Sequence, residues 1–266
     1  MTFLFTRRCL AILVLWLSGC GGGSVSVVIG GDDERDDSPP LTRADITLLF
    51  MGNSHMLVND VPALVTALVR AAVPGRSVAY AVAPGSMLLD ERLNHRPSTD
   101  LLGSQRWSAV IMQAQRYSSS GTFTYSTDEA EELVRRSRLA GAMPVMFPEW
   151  PRRGIDESAR IFGLHLQIAR TEPACVPPIP QAFDIARAQD PTLDLHAADG
   201  NHSSPSGALL AALLLATTIT GQLPAAAHDL TGVGVDPATQ ARLRTAATEA
   251  IRQTSPWTPC PADRPG

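Results

Sequence analysis

Five short apolar segments follow residue 44, each trailed by a stretch of helical periodicity, and this alternation constrains the fold more than any other feature of the chain. A strand buried on both faces reads as a nearly continuous apolar run, and joining parallel strands takes a crossover of a dozen or more residues, usually a helix. The expected architecture is therefore a three-layer α/β/α sandwich around a mostly parallel sheet of about five strands. The strands are expected at Ile46 to Met51, Val78 to Val82, Ala109 to Met112 and Pro144 to Phe147. A fifth, from Cys175 to Ile179, is flanked and interrupted by prolines. Helices are expected from Val61 to Val73, with Leu64, Leu68 and Ala71 on one face, and from Thr127 to Ala140, where Thr-Asp-Glu-Ala starts the helix and Gly141 ends it. Others are expected at Glu157 to Arg170 and Pro237 to Gln253. Leu209 to Thr218 is apolar nearly all round, which at that length describes a buried helix and not a membrane span. There is no internal repeat. One domain over 43–255 with a short tail, 256–266, accounts for the pattern.

The N-terminus has a different character. Arg7 and Arg8 precede the apolar run Cys9 to Leu17, too short to cross a bilayer and proportioned like a signal-peptide core. The run ends in Leu17-Ser18-Gly19-Cys20, which resembles a bacterial lipobox. Residues 1–19 are thus expected to be a lipoprotein signal peptide and Cys20 the lipidated N-terminus of the mature chain. In a Gram-negative host Gly21 would favour the outer membrane, because it is not the aspartate associated with inner-membrane retention. Residues 20–42 read as a flexible tether, with most of the formal charge of −4 in Asp32-Asp33-Glu34-Arg35-Asp36-Asp37. The domain itself is nearly neutral, so nucleic acid is not expected as a partner. All 22 basic residues are arginine. Without lysine, Schiff-base chemistry, pyridoxal phosphate anchoring and the P-loop lysine are excluded. Of four cysteines, Cys175 and Cys260 are left to the domain, as a disulfide tying down the tail or as two buried thiols. No Cys–His cluster has zinc-site spacing, and no metal or cofactor is expected.

Active sites of open parallel sheets collect at the carboxyl ends of the strands. The first expected strand runs into Gly52-Asn53-Ser54-His55, which puts a hydroxyl at a strand-to-helix turn among free backbone N–H groups. Alone, this is also ordinary turn chemistry. Far downstream lies Asp199-Gly200-Asn201-His202, where the carboxylate can take the imidazole Nδ1–H and leave Nε2 to remove a proton. Alone, this is also a helix-capping turn with an incidental histidine, since Ser204-Pro205 starts the buried helix.

Together, Gly52-Asn53-Ser54 and Asp199-x-x-His202 resemble the first and last sequence blocks of the SGNH (GDSL-type) hydrolase superfamily, in order and in spacing. The resemblance implies a flavodoxin-like fold and an ester hydrolase with Ser54 as nucleophile, His202 as base and Asp199 as its orienting carboxylate. It implies an oxyanion hole from the N–H groups of Ser54 and Gly85 and a third, side-chain donor. That donor is usually an asparagine after the third strand; here the segment is Met112-Gln113-Ala114-Gln115, with Gln115 the best-matching residue and Gln113 the fallback. The expected substrate is an acylated small molecule or carbohydrate ester, met by a monomer held at the cell envelope. Two other readings stay open: a non-catalytic glycan- or envelope-binding lipoprotein of the same fold, motivated by the missing asparagine, and a flavodoxin-like phosphate- or flavin-binding protein. Of the remaining candidates, His55 is expected to wall the site. His95, His165, His196 and His228 are expected to be structural or exposed, and Asn59 and Asp60 to start the helix that follows them. Glu149 is expected to face solvent beside a packed Trp150, and Arg152-Arg153 to be a solvated pair.

Overall fold

The computed structural model describes residues 41–222 and 230–265. The expected signal segment, Cys20, the expected tether to residue 40 and His228 lie outside the described residues. Four parallel strands form the sheet in the order β2-β1-β3-β4: β1 is Ile46–Met51, β2 Val78–Val82, β3 Ala109–Gln113 and β4 Met143–Phe147. Leu48 of β1 stands opposite Tyr80 on one side and Ala109 on the other. The chain passes from β1 outward to β2 and then crosses back over β1 to β3. The crevice beyond the carboxyl ends of β1 and β3 is therefore the point where the winding reverses, the place such sheets bind ligands.

The helices are α1 (Ser54–Leu57), α2 (Val61–Ala72), α3 (Leu89–Asn94), α4 (Arg96–Gly103), α5 (Asp128–Leu139), α6 (Ser158–Thr171), α7 (Ile179–Gln189), α8 (Pro205–Thr220) and α9 (Pro237–Gln253). Successive side chains of a strand point to opposite faces, and β1 divides accordingly. Leu48 and Phe50 pack with α2, α7, α8 and α9, whereas Leu49 and Met51 pack with α3, α4, α5 and α6. Every residue of β1 is buried. These are the three layers that the alternation of apolar segments predicts. α8 is buried on nearly all sides between α2 and α9. Among the described residues no helix is long and apolar enough to cross a membrane.

The expected fifth strand is corrected. Cys175 makes a single parallel bridge to Val145, donating to Pro144 O at 2.9 Å and accepting from Met146 N at 2.9 Å. The ladder stops there because Pro177 and Pro178 have no N–H to give. α7 begins at Ile179 with Pro180 in its first turn, where a missing N–H costs nothing. The segment after α9 is packed and not a loose end. Trp257 is buried and donates to Thr218 O at 2.9 Å, Val176 donates to Pro256 O at 3.0 Å, and Cys260 is disulfide-bonded to Cys175.

Candidate active site

Ser54 is the first residue of α1, directly after β1, and Asn53 caps that turn by accepting from His55 N at 3.0 Å. Its hydroxyl lies 2.9 Å from Nε2 of His202, 148 residues away in sequence. His202 Nδ1 lies 2.6 Å from Asp199 Oδ2. Asp199 Oδ1 in turn accepts from the backbone N–H of Asn201 and of His202, both at 2.9 Å. The bond from His202, followed by those two N–H groups, holds the Asp199 carboxyl well below the ordinary carboxylate range, so it is ionised throughout the neutral region. Hydroxyl, imidazole and carboxylate are joined in one line.

Neighbouring segments hold the His202 turn in place. Ala197 N donates to His202 O at 2.8 Å and Ser204 N to Leu195 O at 3.1 Å, closing the turn onto the start of α8. Trp150 Nε1 donates to Asn201 O and Arg153 N to Gly200 O, each at 2.8 Å. Asn59, left-handed at φ 59°, donates from Nδ2 to Ser203 O at 2.8 Å and ties the loop after α1 to the turn. Asp60 caps α2 through Ala63 N, as expected. The His55 ring stacks on that of His202 with centroids 4.8 Å apart and lies 5.5 Å from Trp150, forming a wall of the site.

The amide N–H groups of Ser54 and Gly85 have no acceptor among the described residues. Gly85 follows β2 in the left-handed region at φ 79°, which favours glycine. The expectation that Gln115 supplies the third oxyanion donor is corrected. Its Nε2 donates to the carbonyls of Arg116 at 3.1 Å and Ser126 at 3.0 Å, so both hydrogens are committed to bracing the loop after β3. Gln113 is the glutamine that reaches the nucleophile turn. Its Oε1 accepts from Asn53 N at 2.8 Å and its Nε2 donates to Glu149. Between the two, Ala114 sits at φ 79°, rare for a residue with a Cβ.

Glu149 is not the solvent-facing acid expected. Desolvation pushes its carboxyl above the ordinary range, opposed mainly by His55 and the Gln113 amide. Arg152 and Arg153 are partly exposed, as expected of a solvated pair, yet each is bound to a carboxylate. Arg152 bonds Glu157 at 2.9 and 3.0 Å, and Arg153 binds Asp194 at 3.0 Å and the carbonyl of His196 at 2.9 Å. Three other histidines are structural. His165 is buried, pushed down to about 4 by desolvation. His196 is lowered by burial, against a bond to Pro151 O at 2.7 Å, and His95 bonds Ser98 Oγ at 2.8 Å. The residue that sequence reasoning missed outright is Arg92, fully buried in α3 and bonded to the carbonyls of Gly52, Pro84 and Gly85. A helix of six residues is too short for periodicity to mark this charge as inward-facing.

No protein-family model matches the chain, and no curated protein does. Solved structures do. A protein from Slackia heliotrinireducens, provisionally assigned as an SGNH hydrolase, superposes with a TM-score of 0.54 at 26% identity, over 65% of this chain and 98% of that one. A DUF4886 family protein from Bacteroides uniformis superposes with a TM-score of 0.58 at 15% identity, over 83% of this chain and 97% of that one. The parallel sheet flanked by helices is the fold of SGNH hydrolase-like structures, and the first of these likenesses supports a hydrolase-type function.

Proposed function

We propose that this chain is a serine ester hydrolase of SGNH type, exported and held at the bacterial envelope by lipid on Cys20, acting on an acylated carbohydrate or small molecule. The observation that carries the reading is the continuous relay from Ser54 Oγ through His202 to Asp199. His202 Nε2 takes the proton as Ser54 Oγ attacks the ester carbonyl, and the ionised Asp199 fixes the tautomer and stabilises the imidazolium. The N–H groups of Ser54 and Gly85 take the tetrahedral oxyanion, which collapses to an acyl-Ser54 as His202 returns its proton to the departing alcohol. Water, deprotonated by His202, then releases the acid. The low-lying Asp199 carboxyl stays ionised well into the acid range, so the carboxylate that orients His202 is present wherever the enzyme is assayed near neutrality. The carbohydrate part of the reading rests on the signal segment and tether, which would keep enzyme near surface polymer.

A serine-reactive fluorophosphonate tests the nucleophile without the natural substrate. Labelling should map to the peptide carrying Ser54 and vanish in Ser54→Ala, along with turnover of a small chromogenic ester. A folded Ser54→Ala that is still labelled, or a native protein that neither labels nor turns over any ester, overturns the assignment; tight glycan binding in that second case would point to the non-catalytic lipoprotein.

A further inference from the structure

The guanidinium of Arg92 is completely buried, and among the described residues no carboxylate bonds to it. Desolvation lowers it to about 10, which leaves it charged at neutral pH. Burying an unpaired cation is costly and needs compensating hydrogen bonds. Here the compensation is almost entirely main-chain carbonyl: Nη1 donates to Pro84 O at 3.1 Å, Nη2 to Gly52 O and to Gly85 O, each at 2.5 Å, and a second Nη1 hydrogen goes to Ser98 Oγ at 2.9 Å. Nε has no partner among the described residues. A group serving only to fill the core would be better replaced by an apolar side chain of similar volume.

These carbonyls belong to the two loops that leave β1 and β2, the loops that carry Ser54 and Gly85. A trans peptide points its C=O and its N–H in opposite directions. Holding Pro84 O therefore turns the N–H of Gly85 away from Arg92. The peptide joining Gly52 to Asn53 is gripped at both ends, its C=O by Arg92 and its N–H by Gln113 Oε1, and the next residue is Ser54. A cation on the carbonyl side of a peptide also polarises it, which strengthens the N–H as a donor in a low-dielectric setting. We propose that Arg92 is a positioning residue for the oxyanion hole, clamping the loops after β1 and β2 from behind so that the N–H groups of Gly85 and Ser54 converge on the reacting carbonyl. The proposal rests on the esterase reading. It also accounts for the choice of side chain, since a planar fork can span three carbonyls and a compact ammonium cannot.

The test compares Arg92→Met and Arg92→Lys with the native enzyme, on a chromogenic ester and on inhibition by a trifluoromethyl ketone, which forms the tetrahedral adduct. Oxyanion donors act in the transition state, so kcat should fall about 100-fold in Arg92→Met with KM changed less than about threefold. Ketone affinity should fall in step with kcat/KM. Arg92→Lys keeps the charge and loses the fork, so it should still lose at least about tenfold in kcat. A purely structural arginine would lower the melting temperature and leave kcat of the folded protein within threefold, and that result overturns the proposal. Should Arg92→Met not fold, the lysine variant decides by the same threshold. The esterase reading fails separately, through a native enzyme that Ser54-directed labelling does not modify.

Discussion

Two glutamines leave β3 with one residue between them, and the left-handed backbone at Ala114 decides what each can do. In a regular strand, residues two apart share a face, so Gln113 and Gln115 would compete for the same place. The turn at Ala114 sends Gln115 into the following loop and leaves Gln113 on the peptide before the nucleophile. Gln115→Leu should therefore leave ester turnover within about threefold and cost stability on the order of 1–2 kcal/mol for each bond lost. Gln113→Leu strands the N–H of Asn53 and the carboxyl of Glu149, and should cost at least about tenfold in kcat. Initial rates and thermal melts on the two variants check this; the reverse ranking would return Gln115 to the oxyanion hole. The sequence could not separate them, because the choice depends on one backbone angle at an alanine, a residue whose type gives no hint of left-handed geometry.

At the level of elements, Ser54 and His202 meet because α8 is seated hard against the segment before the His202 turn. A Cβ on Gly207 would stand 2.1 Å from Leu195 O, and Leu195 O also accepts from Ser204 N. A backbone carbonyl cannot yield as a side-chain tip can, so Gly207→Ala should push α8 away from the turn, costing about 1–3 kcal/mol and at least tenfold in ester turnover. A melt together with the rate of Ser54 labelling measures both; an alanine variant with native stability and rate would show that the turn is not set by this contact. Elements with a clean signature were legible from residues alone. β1, β2 and α9 have the expected bounds, and α8 extends a few residues beyond its apolar core. What escaped was short or rich in proline: α3 and α4 are too brief to show periodicity, and the segment through Pro177 and Pro178, expected as a fifth strand, instead leads into α7 with Pro180 in its first turn. The three groups of the relay were legible because each follows a strand or precedes a helix in a recognisable turn. Their supports, Arg92, Gln113 and Asn59, were not, since each acts on a backbone carbonyl or N–H that only the folded chain brings near.

Across the whole molecule, one covalent link joins the two halves of the sandwich's far edge. Cys175 lies beside β4, Cys260 lies beyond α9, and the loop they close, with a sequence separation of 85, holds α7, α8, α9 and both Asp199 and His202. Closing a loop of that size removes about 4–5 kcal/mol of unfolded-chain entropy in the simplest account. For a domain of this size that amounts to about 10 °C in melting temperature. Neither thiol touches the relay, so the effect should be on stability alone. Reduction, or the double substitution Cys175→Ala with Cys260→Ala, should lower the melting temperature by about that amount and leave the initial rate at 25 °C within about twofold. Deleting residues 256–266 should cost more than reduction, because it also uncovers the Trp257 pocket and removes the Arg138–Asp263 pair. The link also bears on compartment: such bonds persist where thiols are oxidised, so protein made in a reducing cytoplasm should melt at the lower temperature and recover the higher one on oxidation. Equal melting temperatures before and after reduction would mean that the tail is held by packing alone.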